Sequence, residues 1–120
     1  MKRYLILIFL LTLLFSGCTG SGKYLKQATN FGIKAAKKGY WSEAKFRWER
    51  LLAEDPNDFV AMNNLAVCYE QEGKFEDAVE LYKKALELSD NNKYIKINLQ
   101  RAELLRTTKE IEPQPVEENK

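Results

Sequence analysis

The sequence predicts an all-α protein built as a short array of helical hairpins, two helix pairs followed by a C-terminal capping helix. Three observations predict this fold: an internal repeat, apolar residues at helical spacing, and a glycine at the turn inside each repeat. An offset of 34 positions aligns several identical residues, which indicates a duplicated unit. The identical pairs are Asn30 with Asn64, Gly39 with Gly73, Ala44 with Ala78, Leu52 with Leu86 and Asn57 with Asn91.

The second copy, residues 59–92, has the clearest pattern of two helices. Met62, Leu65 and Tyr69 lie three and four residues apart and form the apolar stripe of a first helix, together with Ala66. The stripe of the next helix consists of Phe75, Ala78, Tyr82, Ala85 and Leu86. Gly73 stands between them, where a helix ends in the left-handed conformation, and the short link after it makes the two helices antiparallel.

The first copy, residues 25–58, follows the same plan. Trp41 and Trp48 align with Phe75 and Tyr82, so we expect both tryptophans in the core. Phe46 aligns with a glutamate, which predicts that its ring faces outward. Asn57 and Asp58, at the end of this copy, are candidate N-caps for the helix that follows, because short polar side chains accept hydrogen bonds from free backbone amides there.

A partial third copy predicts the capping helix over residues 93–106. Ile95, Leu99 and Ala102 follow the spacing i, i+4, i+7 and predict the face that covers the second pair. The predicted helical domain therefore spans residues 24–106. Residues 107–120 contain two prolines and four glutamates with little apolar content, which predicts a disordered acidic tail.

The period and its pattern of small, aromatic and glycine residues resemble the tetratricopeptide repeat. Residues 59–92 carry the pattern fully, and residues 25–58 carry it more loosely. The resemblance covers about residues 24–106. It implies a stacked array of helix pairs that binds a protein or peptide along a concave face, which is formed by the first helix of each pair.

The resemblance also implies which residues line that concave face. They are Asn30, Ile33 and Lys37 from the first copy, Asn63, Asn64, Val67, Glu70 and Gln71 from the second, and Tyr94, Ile97, Asn98 and Arg101 from the third. Three of the asparagines recur at the repeat offset, and an asparagine amide can bond an extended peptide backbone through its donor and its acceptor. Surface asparagines retained by duplication are the alternative interpretation.

The first 17 residues predict a secretion signal. Lys2 and Arg3 precede an apolar stretch over residues 4–15. A helix of that length reaches about 18 Å, short of the bilayer core of about 30 Å, so we favour cleavage over a permanent transmembrane helix. The sequence Phe15-Ser16-Gly17-Cys18 resembles the lipobox of bacterial lipoproteins.

The lipobox resemblance implies that Cys18 becomes the acylated first residue, carrying chains such as palmitate. Residues 18–23 are then the lipidated cysteine and a flexible tether. Thr19 follows the cysteine in place of the aspartate that tends to retain lipoproteins in the inner membrane. We therefore expect anchoring in the bacterial cell envelope, at the outer membrane facing the periplasm if the organism has two membranes.

Composition argues against several classes of function. The chain has 19 lysines and arginines against 17 aspartates and glutamates, which is far from the basic excess of a nucleic-acid-binding protein. It has no histidine, the commonest general base and metal ligand. Its two cysteines are too few for an all-thiolate structural zinc site. We predict no enzyme activity, no metal site and no cofactor.

The second cysteine, Cys68, lies on the first helix of the second copy. We predict a buried thiol that packs as a small apolar side chain, because no histidine is available to activate it. The alternative is an unpaired thiol that links two copies of the chain in an oxidising compartment.

Charge is distributed unevenly along the chain. Residues 23–50 contain eight lysines and arginines against two glutamates, whereas residues 51–92 contain three against ten acidic residues. We expect the basic first repeat to approach anionic lipid. Orientation of a partner or of a second copy is the alternative use of this charge difference.

These features predict a membrane-anchored adaptor or assembly factor of the bacterial cell envelope. It would bind a peptide or a partner subunit of an envelope complex in its concave face, and it would not bind nucleic acid. The alternative is a self-associating structural lipoprotein whose homo-oligomer is the functional unit.

Overall fold

Residues 21–111 are described by a computed structural model, with side chains from residue 24 onward, and they form five α-helices without a strand. The helices are α1 (Ser21–Lys37), α2 (Trp41–Glu54), α3 (Phe59–Gln71), α4 (Phe75–Leu88) and α5 (Lys93–Ile111). Each helix packs mainly on the next one in chain order. Helices α1 and α2 form one hairpin, α3 and α4 form another, and α5 covers the second. The predicted all-α array of two helix pairs and a capping helix is confirmed.

The first helix begins earlier than the sequence predicted. Residues 21–23, assigned above to the flexible tether, form the first turn of α1. The small residues that suggested flexibility are compatible with a helix, and α1 continues from them without a break. The predicted signal peptide, Cys18 and the remaining tether residues 19 and 20 lie outside the described residues.

The last helix extends beyond its predicted end at residue 106. Residues 107–111, assigned above to the disordered tail, are helical. No proline or glycine interrupts residues 93–111, and Lys109 Nζ donates a hydrogen bond of 2.8 Å to the carbonyl oxygen of Gly73. This contact ties the final turn of α5 to the α3–α4 turn. Residues 112–120 of the predicted tail lie outside the described residues.

Glycine ends the first helix of each hairpin, as predicted. Gly39 and Gly73 have φ values of +78° and +70°, the left-handed conformation that glycine adopts without steric cost. After α3, the Gly73 amide donates to the Glu70 carbonyl at 3.0 Å and the Lys74 amide donates to the Tyr69 carbonyl at 2.9 Å. These paired bonds satisfy carbonyls at the helix end and turn the chain into α4.

The second helix pair begins after an aspartate N-cap and is followed by two residues with positive φ. Asp58 is the N-cap of α3, and its carboxylate accepts hydrogen bonds of 2.9 Å from the amides of Val60 and Ala61. Of the two predicted N-cap candidates, Asn57 and Asp58, the structure therefore identifies Asp58 as the N-cap. Beyond the end of α4, Asp90 and Asn91 have φ values of 52° and 59°, so here non-glycine residues take the left-handed conformation.

The core consists of two clusters, one on each side of α3. The cluster toward the N-terminus contains the buried residues Ala35, Ala44, Trp48, Leu51, Ala61, Leu65 and Cys68. The other contains Met62, Ala66, Ala78, Val79, Tyr82, Ala85, Ile95, Leu99 and Ala102. The predicted covering face of α5 is therefore confirmed. Helix α3 contributes buried residues to both clusters because it packs on α2 and on α4.

Each repeat buries one large ring against a small residue of its first helix. In the first repeat, a Cβ atom on Gly32 would lie 2.5 Å from Cζ2 of Trp48, well inside van der Waals contact. At the same positions of the second repeat, Ala66 and the smaller Tyr82 are fully buried in one cluster. The larger ring, Trp48, is thus combined with glycine, and the smaller ring, Tyr82, with alanine, as expected for a close-packed core.

We predict that Gly32→Ala destabilises the protein, although alanine favours helices. Overpacking a core costs about 1–3 kcal/mol and the gain in helix propensity is about 1 kcal/mol. Because three ring atoms would lie within 3.0 Å of the new methyl group, we expect a net loss. Urea unfolding followed by circular dichroism measures it. The double variant with Trp48→Tyr recreates the Ala–Tyr pair of the second repeat, so it should lose less stability than the sum of the losses in the two single variants. Losses that simply add would contradict this packing account.

Candidate functional site

The face formed by α1, α3 and α5, called the concave face here, contains a cavity between α1 and α3. Its volume is about 220 Å³. Its walls are the side chains of Ile33, Ala36, Lys37, Trp41, Trp48, Asn64 and Val67. The surface is largely apolar, with one amide and one ammonium group as its polar components. An apolar recess with few polar groups is typical of a binding site.

Four residues predicted for the concave face line this cavity: Ile33, Lys37, Asn64 and Val67. The other walls of the cavity, Ala36, Trp41 and Trp48, were not among the predicted site residues. Trp48 is buried in the core as predicted, and its ring also contributes to the cavity wall. The sequence did contain an indication of this. Both tryptophans align with smaller aromatic residues of the second repeat, so part of each indole ring extends beyond the space that the smaller ring fills.

The other half of the concave face, between α3 and α5, is joined by hydrogen bonds. Asn98 Nδ2 donates to Asn63 Oδ1 at 2.9 Å. Arg101 donates from Nε and Nη2 to the Glu70 carboxylate at 3.1–3.2 Å, and from Nη1 to Asn98 Oδ1 at 3.2 Å. These four residues were all predicted to contact a partner. They instead bond to one another and hold α5 on α3.

Glu70 is more enclosed than its partner Arg101. Its side chain is only 7% exposed, whereas that of Arg101 is 46% exposed. The pKa of Arg101 is raised, and its hydrogen bonds to Glu70 are the largest cause. A carboxylate held by a two-pronged guanidinium contact is a charge-assisted pair of defined geometry. A partner that bound Glu70 would have to displace that contact.

The hydroxyl of Tyr82 lies near the Glu70 carboxylate and the Arg101 guanidinium. It is buried, and it has no hydrogen-bond partner within the described part of the chain. Burial is the largest cause of the raised pKa of Tyr82, and the nearby Glu70 carboxylate raises it further. The phenol therefore stays neutral, and the polar network rests directly on the aromatic core of the second repeat.

The remaining predicted residues of the concave face are exposed and do not line the cavity. They are Asn30, Gln71, Tyr94 and Ile97. The three asparagines at the repeat offset therefore have different environments. Asn64 lines the cavity, Asn98 uses both ends of its amide within the chain, and Asn30 points to solvent outside it.

The acidic residues near the α3–α4 turn include an ion-pair cluster. Glu72 pairs with Lys74 at 2.7 Å and with Lys45 of α2 at 2.9 Å. The hydrogen bonds from these lysines, Lys74 first, lower the pKa of Glu72. Lys45 Nζ also lies 5.1 Å from the centroid of the Tyr69 ring. The cluster joins α2 to the end of α3 on the surface.

Neither a metal-binding cluster nor a membrane-spanning helix occurs within residues 21–111. No group of three or more histidine, cysteine, aspartate or glutamate side chains there could hold a metal ion. The same residues include no helix with the length and apolar character needed to cross a bilayer.

Comparison with protein families gives one match. Residues 59–92 match the model of the tetratricopeptide repeat, with the same bounds as the predicted second copy. A search among curated proteins found no match to the chain. The fold and this match define a short helical array similar to tetratricopeptide arrays, a non-catalytic fold that serves protein–protein interaction. They suggest that the chain is an interaction module and not an enzyme.

Cys68 is a free thiol inside the core. Its side chain is 1% exposed, and burial raises its pKa to about 11, with a further contribution from Glu72. A protonated, enclosed thiol is a poor nucleophile and cannot meet a second copy without unfolding. The burial predicted from the sequence is confirmed.

We predict slow alkylation of Cys68 by iodoacetamide in a Cys18→Ser variant, where it is the one remaining thiol. Because the pKa lies above its usual value, less thiolate exists at pH 8, and the native rate should be at least about 100-fold below the rate in urea. The native rate should rise as the pH approaches 11. Equal native and unfolded rates, or a dimer band that requires Cys68 on a non-reducing gel, would contradict the buried thiol.

Proposed function

We propose that this chain is a lipid-anchored adaptor or assembly factor of the bacterial cell envelope that holds a peptide or a partner subunit of an envelope complex on its concave face. The cavity between α1 and α3 carries this proposal. It combines two indole rings with an amide and a cation in one recess, on the face that tetratricopeptide arrays use for protein partners.

The size of the cavity favours a protein side chain over a small-molecule ligand. Small-molecule sites usually enclose about 300–1,000 Å³, and this recess has about 220 Å³. One apolar side chain of a partner fits against Trp41 and Val67. Asn64 can bond the peptide backbone beside it, and Lys37 favours an acidic neighbour in the same peptide. We expect modest affinity, because one anchored side chain buries little area.

The N-terminal sequence supports the membrane anchor. A basic start, an apolar stretch over residues 4–15 and a small-residue junction before Cys18 precede the helical domain. Because α1 already begins at residue 21, residues 18–20 can span at most about 11 Å between an acyl chain and the helix. Anchoring at Cys18 would therefore hold the first hairpin beside the membrane. We expect the outer membrane, facing the periplasm, in a bacterium with two membranes.

An uncovered stripe on α5 favours a second candidate function, the self-associating structural lipoprotein. The stripe consists of Tyr94, Ile97, Leu104 and Ile111, each more than half exposed. On a helix these residues share one side, away from the buried Ile95, Leu99 and Ala102. A second copy of the chain that covered this stripe would complete the array as a homo-oligomer.

We predict that Cys18 carries the lipid. Cells given a clickable palmitate analogue should label the wild-type protein, and Cys18→Ser should lose the label and keep the uncleaved signal. Cys68→Ser is the matched control, because it removes the other cysteine of the chain and should label normally. Normal labelling and processing of Cys18→Ser would exclude the anchor.

We predict that a photo-crosslinker in place of Asn64 captures a different protein in cells. The same probe at Lys84, an exposed residue of α4 outside the cavity, is the control and should capture less. Ile33→Glu, which puts a charge on the cavity wall, should reduce capture from position 64. No adduct at position 64 in well-expressed protein would argue against the adaptor. A probe at Ile97 that yields dimers of the chain itself would favour self-association.

A further inference from the structure

The first hairpin leaves one face uncovered in the part of the chain that the structure describes. Leu65 of α3 packs in a cluster with Trp48 and Leu51 of the preceding helix α2. Phe31 occupies the same position in the first repeat, but no helix precedes α1 within residues 21–111. Its ring is therefore 46% exposed. The position that buries an aliphatic side chain in the second repeat presents an aromatic ring at the surface in the first.

Aromatic and basic side chains occupy this uncovered face together. Tyr24, Phe31 and Phe46 are 48%, 46% and 54% exposed. The guanidinium of Arg47 lies 5.4 Å from the centroid of the Phe31 ring, and Arg50 Nη2 lies 3.4 Å from the Tyr24 hydroxyl oxygen. We call these five residues the aromatic–basic face. A depression of about 210 Å³ between Tyr24, Phe31 and Arg47 shows that the rings are spread apart.

The charge around this face is positive. Residues 23–50 hold eight lysines and arginines against two glutamates. Lys34 adds a second cation 5.9 Å from the Phe31 ring. Glu43 pairs with Arg47 one helical turn away and offsets part of that charge. Within residues 21–111 the Arg50 guanidinium contacts the neutral Tyr24 hydroxyl, and Glu54 lines the same recess as Arg50 and offsets a further part of the positive charge.

We infer that the aromatic–basic face docks on the headgroup region of an anionic lipid bilayer. Amphipathic aromatic rings settle at the boundary between headgroups and acyl chains, and guanidinium groups bind lipid phosphates through paired hydrogen bonds. The Arg47 guanidinium stacks on the Phe31 ring and pairs with Glu43 through Nη2, so its remaining N–H groups are the ones that would meet a phosphate. The face begins at the first turn of α1, so docking would lay the hairpin against the membrane surface.

A bilayer fits this face better than end-to-end stacking with a second copy. Stacking of repeat arrays would place the aromatic–basic face against the exposed side of α5. Residues 93–106 of that helix carry four lysines and arginines against one glutamate, so like charges would meet. The acidic second repeat and the glutamates of residues 107–120 of another copy are alternative occupants of suitable charge, and sedimentation without lipid tests them.

The test uses residues 18–120 with Cys18→Ser, which contain every described residue and carry no acyl chain. The protein is centrifuged with vesicles of phosphatidylcholine alone or mixed with phosphatidylglycerol. We expect binding to the mixed vesicles at low salt, little binding to neutral vesicles, and loss of binding at high salt, because added ions screen surface charge. No binding to the mixed vesicles, or equal binding to both, overturns the inference.

Two variants locate the contact. Arg50→Gln should lower the partition coefficient about fivefold, the usual contribution of one arginine near an anionic surface, and Phe46→Ser should lower it further. Tyr94→Ser with Lys96→Gln removes an exposed ring and an exposed cation from α5 and is the matched control. Circular dichroism checks that each variant is folded. Equal losses in variant and control would overturn the assignment to this face.

Sedimentation of the same proteins without lipid tests the competing occupant. A dimer that Phe46→Ser or Arg50→Gln dissociates would assign the face to a second copy and overturn lipid docking. The vesicle experiment is independent of the proposed adaptor function, because it needs neither the acyl chain nor the cavity. If crosslinking from position 64 fails while vesicle binding persists, the adaptor function is contradicted and lipid docking is not. If vesicle binding fails while crosslinking persists, lipid docking is contradicted and the adaptor function is not.

Discussion

The pairing of one large ring with one small residue sets the helix spacing of this array. Trp48 lies against Gly32, and Tyr82 shares a buried cluster with Ala66. Alanines with no exposed surface, such as Ala44 and Ala78, allow the backbones to approach elsewhere. The same indole ring then forms part of the cavity wall on the concave face. Core packing and the candidate site therefore share a side chain, and a change in one alters the other.

The two halves of the concave face have opposite character. Between α1 and α3 the face is an open apolar recess, whereas between α3 and α5 it is closed by polar side chains that satisfy one another. This network is only partly enclosed, with Glu70 7% and Arg101 46% exposed, and a partner that contacted it would have to replace its hydrogen bonds. The recess is linked to this network at one point, because Asn64 Oδ1 accepts a hydrogen bond of 3.4 Å from Asn63 Nδ2. The hydrogen bonds of the second half hold α5 on α3.

Much of the fold was predictable because its determinants are local. Gly73 ends a helix through its own backbone freedom, and the spacing of Ile95, Leu99 and Ala102 defines a covered face without knowledge of the neighbour. The limits of α1 and α5 were less predictable. A helix end depends on contacts made far along the chain, such as that between Lys109 and Gly73.

The candidate site was predicted only in part, for a different physical reason. The repeat register indicates which side of a helix a residue occupies, and it grouped Ile33, Asn64 and Val67, which line the same cavity. It does not indicate which polar side chains bond to each other, because that depends on rotamers and distances between helices. Glu70 and Arg101 therefore looked available to a partner, although they are paired with one another.

The arrangement of helices in chain order has a consequence for how the protein folds. Most packing contacts join helices that are adjacent in sequence, so few long loops must close before the core forms. Topologies with such local contacts fold quickly, and a hairpin can form as soon as its second helix is available. The array can therefore assemble from its N-terminus while later residues are still emerging. Helix α5, which reaches back to both α3 and the α3–α4 turn, completes that sequence of events.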